Sequence, residues 1–127
     1  MSLKFIDVIL PNYNKGKFLK ESICSVINQS YKNWKLYIVD DNSNDESDDI
    51  LKKFQNHENI YITKLSKNKG PSFCRNLGIR LSSSKLIAFI DSDDYWHTEK
   101  LEKQIHFMEK NNYKFSFSDY SSFYQIG

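Results

Sequence analysis

Leu86-Ile87-Ala88-Phe89-Ile90-Asp91-Ser92-Asp93-Asp94 is the stretch on which the fold turns. Its first five residues form an unbroken apolar run of the length that a buried strand needs. Three carboxylates within the next four residues end the run abruptly. Like charges packed this closely raise one another's pKa unless a cation lies among them. Hard divalent ions prefer carboxylate oxygens, and Mg²⁺ is commonly held by one or two carboxylates together with a substrate's phosphates. One reading is therefore a metal–phosphate site at the end of a strand. The same acids also suit a solvated turn that caps the next helix, and the local sequence leaves both readings open.

Outward from this stretch the chain alternates. Phe5 to Leu10 is apolar and β-branched, and Pro11 stops it. Lys17 to Gln29 carries Leu19, Ile23, Val26 and Ile27 at helical spacing. Trp34 to Val39 reads as a second strand ending at Asp40-Asp41. Asn42 to Asn44 is turn-forming, and a short helix from Asp45 to Phe54 follows, with an acidic first turn that complements the helix dipole. Ile60 to Leu65 is a third strand. Ser72 to Leu81 is a third helix, with Phe73, Leu77 and Leu81 spaced by four. Leu86 to Ile90 is the fourth strand, Thr98 to Lys110 a fourth helix, and Phe115 to Ser118 a fifth strand.

This β-α alternation predicts an α/β fold, a mostly parallel sheet with helices on both faces. Parallel strands place their C-terminal ends along one edge, where open α/β sheets bind ligands. Pro11–Asn14, Asp40-Asp41 and Asp91–Asp94 should therefore converge on one rim. Arg75, on the third helix, offers a fork of donors for a phosphate or carboxylate, and Tyr13 offers a face for stacking. Glycine-rich phosphate loops are missing, since the four glycines are Gly16, Gly70, Gly78 and Gly127. Phosphates would have to be neutralised by metal and Arg75 instead. Together these residues suit a nucleotide bearing a diphosphate.

Composition limits the alternatives. The chain has 127 residues, a size that predicts one domain. Its 39% hydrophobic and 15% aromatic content is that of a globular protein. A net charge of +2, with 18 Lys and Arg spread along the chain, argues against a nucleic-acid partner. Cys24 and Cys74 have no zinc spacing and read as reduced core or near-core residues. No apolar run approaches the ~18 residues of a membrane span, and Asp7 and Pro11 interrupt any leader-like stretch. The expected location is cytoplasmic. His57 and His106 read as exposed, Trp96 as a packing residue, Asp40 and Asp45 as structural acids of turn and cap. Asp94 stands between helix acid and metal ligand.

Five blocks in order carry a family resemblance. They are Val8-Ile9-Leu10-Pro11-Asn12-Tyr13-Asn14, then Leu19 to Tyr31, then Val39-Asp40-Asp41-Asn42-Ser43, then Gly70 to Ile79 with Arg75-Asn76, then Phe89 to Trp96. The chain resembles a family 2 glycosyltransferase of GT-A fold, a Rossmann-like architecture, over about residues 5 to 120. The resemblance implies that Asp41 accepts from the N–H of a base (uracil in relatives using UDP-sugars) and that Pro11 and Tyr13 wall the base. It places Arg75 near base or diphosphate. It implies that Asp91 and Ser92 belong to the donor site, with Asp93 and Asp91 on Mn²⁺ or Mg²⁺. The implied reaction is an inverting transfer from a nucleotide-diphospho-sugar to a saccharide or lipid-linked acceptor, in cell-surface polysaccharide or glycoconjugate synthesis, with peripheral membrane association.

Two departures qualify the resemblance. Asn42 stands where Gly is more usual, but Asn tolerates left-handed backbone. The family domain continues past this point with its acceptor site and base, and Asp119, the only acid after Glu109, lies too near Asp91 and Asp93, the DxD pair of the resemblance, to be that base. The expectation is a single, truncated domain over 1–127 with the base beyond residue 127. The alternatives are a non-catalytic nucleotide-sugar-binding fragment and a phosphohydrolase with Asp91 as nucleophile. The aromatic tail, Phe115, Phe117, Tyr120, Phe123 and Tyr124, predicts an exposed patch and a homo-oligomer.

Overall fold

The computed structural model describes residues 4–111. The fifth strand expected at Phe115–Ser118 and the aromatic tail lie outside them. The elements run β1 (Ile6–Asn12), α1 (Gly16–Ile27), β2 (Trp34–Asp40), α2 (Ser47–Lys52), β3 (Ile60–Lys64), α3 (Pro71–Leu81), β4 (Leu86–Phe89) and α4 (Lys100–Asn111). All pairings are parallel, in the order β3-β2-β1-β4. The predicted alternation and parallel sheet are thus present.

Sequence type explains strand position. β1 and β2 are buried on both sides, as central parallel strands should be, while β4 alternates between half-buried and exposed residues. Ile6, Val8 and Leu10 of β1 and Leu36 and Ile38 of β2 point to one face. There they meet Leu19, Ile23 and Val26 of α1, Leu51 of α2 and Leu101 of α4. Successive strand residues point to opposite faces, so Ile9 lies on the other face, where α3 packs.

α3 does not bury its apolar residues spaced by four. Its buried residues are Cys74 and Gly78, and Leu81 is 45% exposed. The helix lies so close to β1 that a Cβ at Gly78 would sit 2.5 Å from Ile9 Cγ2. Small side chains make that approach feasible, and the larger residues flank the contact instead of filling it. Asp7 was legible only as an interruption of an apolar run. It is wholly buried in β1, where Oδ2 accepts from Ser83 N (2.8 Å) and Ser84 N (2.9 Å) and Oδ1 accepts from Ser84 Oγ (2.9 Å). It fastens the turn between α3 and β4. His57 is half-buried, not exposed as expected: its ring stacks on Trp34 at 5.8 Å and Nδ1 accepts from Asn59 N. No described helix is long and apolar enough to cross a membrane.

Candidate functional site

Strand register brings the three polar clusters to one edge. Asn12 pairs with Asp40 across β1 and β2, Asp41 N donates to Asn12 O at 2.8 Å, and Ile90 N donates to Ile9 O at 3.0 Å. The loops after β1 and β2 are then sewn together. Asn12 Nδ2 donates to Asp40 Oδ1 (2.8 Å) and Ser47 Oγ (3.0 Å), and Ser43 N to Asp40 Oδ2 (3.0 Å). Asn14 N reaches Ser43 Oγ, Asn44 N reaches Asn14 Oδ1, and Gly16 N reaches Asp45 Oδ2. Asp40 and Asp45 are structural, as their positions predicted. Burial raises the Asp45 carboxyl, but hydrogen bonds from Ser47 and Gly16 outweigh it and hold its pKa below the ordinary value. Asn42 adopts φ 62°, the left-handed geometry that its amide side chain tolerates.

Asp41 is fastened into the β3–α3 loop. It is 3% exposed, and its Oδ1 accepts from Lys69 N (2.6 Å) and its Oδ2 from Gly70 N (2.9 Å). Asn68 Nδ2 donates to the Asp41 carbonyl at 3.2 Å. Asp41 therefore shapes the β3–α3 loop, whose Gly70 has φ 92°, a conformation that favours glycine. A carboxylate offers about four acceptor sites, so after Lys69 N, Gly70 N and the Cys74 thiol it retains one for a ligand N–H. Beneath it, burial and then the Asp41 charge push the Cys74 thiol up to about 11. Tyr13 stands 47% exposed beside Asn12, and Pro11 is half-buried.

The Asp91–Asp94 stretch closes as a turn, Asp94 N donating to Asp91 O at 2.9 Å. Two residues to which the sequence reading gave no role hold the turn and the segment after it. Ser22 of α1 donates from Oγ to the Ser92 carbonyl (2.7 Å) and also reaches the Asp94 carbonyl. Gln29 is wholly buried; its Nε2 donates to the His97 carbonyl (2.7 Å) and its Oε1 accepts from Leu101 N (3.0 Å). The signal was a pair of polar residues, Ser22 inside α1 and Gln29 just past its end, both buried. Ser92 is 4% exposed, unlike the acids on either side of it. Trp96 is buried in the core cluster and is a packing residue, as expected. Ser22→Ala removes a buried hydrogen bond worth ~1 kcal/mol, so it should lower the melting temperature by a few degrees and weaken nucleotide binding by at most about fivefold; calorimetry beside thermal unfolding checks it.

The acids face cations. Arg75 Nη2 lies 3.2 Å from Asp91 Oδ1, and Lys15 Nζ lies 3.8 Å from Asp93 Oδ2. Partial burial, with the Asp91 and Asp93 charges added, raises the Asp94 pKa. Among the described residues no three acidic, His or Cys side chains cluster as a metal cage. The half-exposed carboxylates of Asp91 and Asp93 fit the other arrangement, a hard cation on one or two carboxylates completed by a ligand's phosphates.

Comparisons with known proteins agree with this geometry. The family model described as Glycosyl transferase family 2 matches residues 7–124. The chain is 38% identical over 123 residues to the putative teichuronic acid biosynthesis glycosyltransferase TuaG of Bacillus subtilis, covering 96% of this chain and 49% of that protein. It is 37% identical over 118 residues to an Escherichia coli enzyme, the UDP-Glc:alpha-D-GlcNAc-diphosphoundecaprenol beta-1,3-glucosyltransferase WfaP, covering 93% of this chain and 47% of that one. The S. aureus TarS 1-349 structure in complex with UDP-GlcNAc superposes with a TM-score of 0.78 at 30% identity, covering 84% of this chain and 32% of TarS 1-349. The chain thus spans about half the length of these two curated relatives. With three of the motif blocks meeting at one parallel-sheet edge and the family model matching residues 7–124, the chain belongs to glycosyl transferase family 2.

Proposed function

We propose that the chain forms the donor-binding part of an inverting glycosyltransferase that uses a nucleotide-diphospho-sugar, a UDP-sugar, with Mn²⁺ or Mg²⁺. The product is a cell-surface polysaccharide or glycoconjugate, built at the cytoplasmic side on a saccharide or lipid-linked acceptor. The observation that carries this reading is the convergence of Asp41, Arg75 and the Asp91–Asp93 turn on one edge of the sheet. Family membership supports the reaction class. UDP-GlcNAc bound to TarS and the UDP-Glc named for the Escherichia coli relative support the donor class.

In this reading Tyr13 and Pro11 wall the base, and Asp41 accepts its N–H from a carboxylate already fixed by two backbone donors. Arg75 turns from Asp91 toward the phosphates, where its fork of donors suits their oxygens. Asp93 and Asp91 would hold the cation, which supplies Lewis-acid neutralisation of the diphosphate leaving group. Ser22 keeps the acidic turn in place, and Gln29 holds the segment that follows it. An acceptor hydroxyl attacks the anomeric carbon as the bond to phosphate breaks, and its proton passes to a carboxylate acting as general base. That base lies outside the residues assigned above.

Calorimetric titration with UDP, with and without Mn²⁺, tests the reading. UDP should bind at micromolar affinity with Mn²⁺, and Asp93→Ala should weaken that binding about tenfold or more, the loss of one charge-assisted contact of ~1.5–3 kcal/mol. Equal affinity of Asp93→Ala and the parent protein would overturn it.

A further inference from the structure

The rim has a cation that the family motifs do not account for. Lys15 sits in the loop between β1 and α1, outside the blocks that carry the resemblance, and its Nζ lies 3.8 Å from Asp93 Oδ2. Arg75 holds the equivalent position on the other acid, 3.2 Å from Asp91 Oδ1. The two cations come from different layers: Arg75 from α3 on one face of the sheet, Lys15 from the start of α1 on the other. They bracket the Asp91–Asp93 turn.

Neither pair is built for stability. The side chains of Lys15 and Asp93 are 50% and 45% exposed, and those of Arg75 and Asp91 are 40% and 54% exposed. Ion pairs so exposed contribute little to folding, because water and salt screen them and both chains lose rotamer freedom. Fixed acids of the fold are treated differently here. Asp7, Asp40 and Asp45 are held by backbone and hydroxyl donors. A lysine left on an open rim is a mobile point charge on a flexible stem with three donors, suited to an anion that arrives from solution.

We propose that Lys15 is a donor-phosphate ligand: with Arg75 it grips the diphosphate from the two helix layers, on either side of the Asp91–Asp93 turn. The inference rests on the nucleotide-diphosphate reading above and adds a residue to it. Lys15 leaves Asp93 for phosphate oxygens, which carry more negative charge and offer it more acceptors. It acts on binding and orientation of the donor and takes no proton in the transfer.

The test is calorimetric titration of the chain, of Lys15→Met and of Lys15→Arg, with UDP and with uridine, in Mn²⁺ and in chelator. Lys17→Met, a nearby exposed lysine outside the site, is the control. Lys15→Met should bind UDP about tenfold more weakly than the parent, with uridine affinity unchanged. Lys15→Arg should recover most of the loss. The fall in UDP affinity with added NaCl should be shallower in Lys15→Met than in the parent. Equal UDP affinity of Lys15→Met and the parent would overturn the proposal, and so would a parallel loss of uridine affinity, which would mark Lys15 as structural. If the parent binds UDP and Lys15→Met binds it equally, only Lys15's role fails. If the parent itself does not bind UDP with Mn²⁺, the nucleotide reading and this inference fall together.

Discussion

Asp41→Ala should abolish measurable nucleotide binding and also lower the stability of the fold. The two losses have separate causes. The carboxylate is 3% exposed and takes Lys69 N at 2.6 Å and Gly70 N at 2.9 Å, so its removal leaves two backbone donors without their acceptor. Hydrogen bonds to a charged group are worth ~1.5–3 kcal/mol each, but both amides sit near the surface and water will recover part of that. A net destabilisation of about 1–3 kcal/mol follows. On the proposed reading the binding loss is larger, because a base N–H loses its acceptor and the β3–α3 loop loses its shape together. A single charge-assisted contact accounts for about 10- to 100-fold, and loop disorder adds to it.

Asp41→Asn separates the terms. Asn keeps the size and one acceptor oxygen but points an NH2 at whichever donor faces its nitrogen. It should retain more than half of the lost stability while binding UDP at least tenfold more weakly than the parent. Thermal unfolding and calorimetry on the same samples check both. If Asp41→Asn bound UDP like the parent, Asp41 would be a loop fastener only, and its role at the base would be refuted.

What the sequence disclosed divides along a physical line. Element order was readable because each element's apolar period is local: Leu19, Ile23 and Val26 fall on one helix face whatever they pack against. The rim was readable because parallel strands must end on one edge, so Asp41 and Asp91 could be placed together with no knowledge of side chains. Contacts between loops were not readable. Nothing near Asn14 announces that its amide oxygen serves Asn44 N, or that Ser22 donates to carbonyls seventy positions on. These depend on relative placement, which a period cannot encode. Asp41's second duty was hidden for the same reason, since Lys69 and Gly70 donate through backbone that any residue supplies. The buried face of α3 was hidden for another reason. Periodicity weights large apolar residues, so Phe73, Leu77 and Leu81 outscored Cys74 and Gly78, the residues that actually meet the sheet.

Gly78→Ala should therefore destabilise the protein, against the usual sign for that change. In a helix interior Ala is favoured over Gly by about 1 kcal/mol. Here the added methyl would sit 2.5 Å from Ile9 Cγ2, 3.1 Å from Cγ1 and 3.3 Å from Cβ. Ile9 cannot yield easily: it is wholly buried in β1, which is hydrogen-bonded to β2 on one side and β4 on the other. The helix must move instead, and overpacking of this kind costs about 1–3 kcal/mol, more for larger side chains. The clash outweighs the propensity gain, so Gly78→Ala should lose about 1 kcal/mol net and Gly78→Val about 3 kcal/mol or more. Arg80→Ala, on the exposed side of the same helix, should stay within about 0.5 kcal/mol of the parent. Denaturant unfolding of the three variants measures this directly. The effect should also reach the site, because Arg75 rides on α3 one turn before Gly78. Lifting the helix from β1 carries the guanidinium away from Asp91, so folded Gly78→Ala should bind UDP more weakly than the parent although the substitution touches no ligand. A Gly78→Ala protein as stable as the parent would refute the close approach of α3 to β1, and with it the account of why this helix buries small residues.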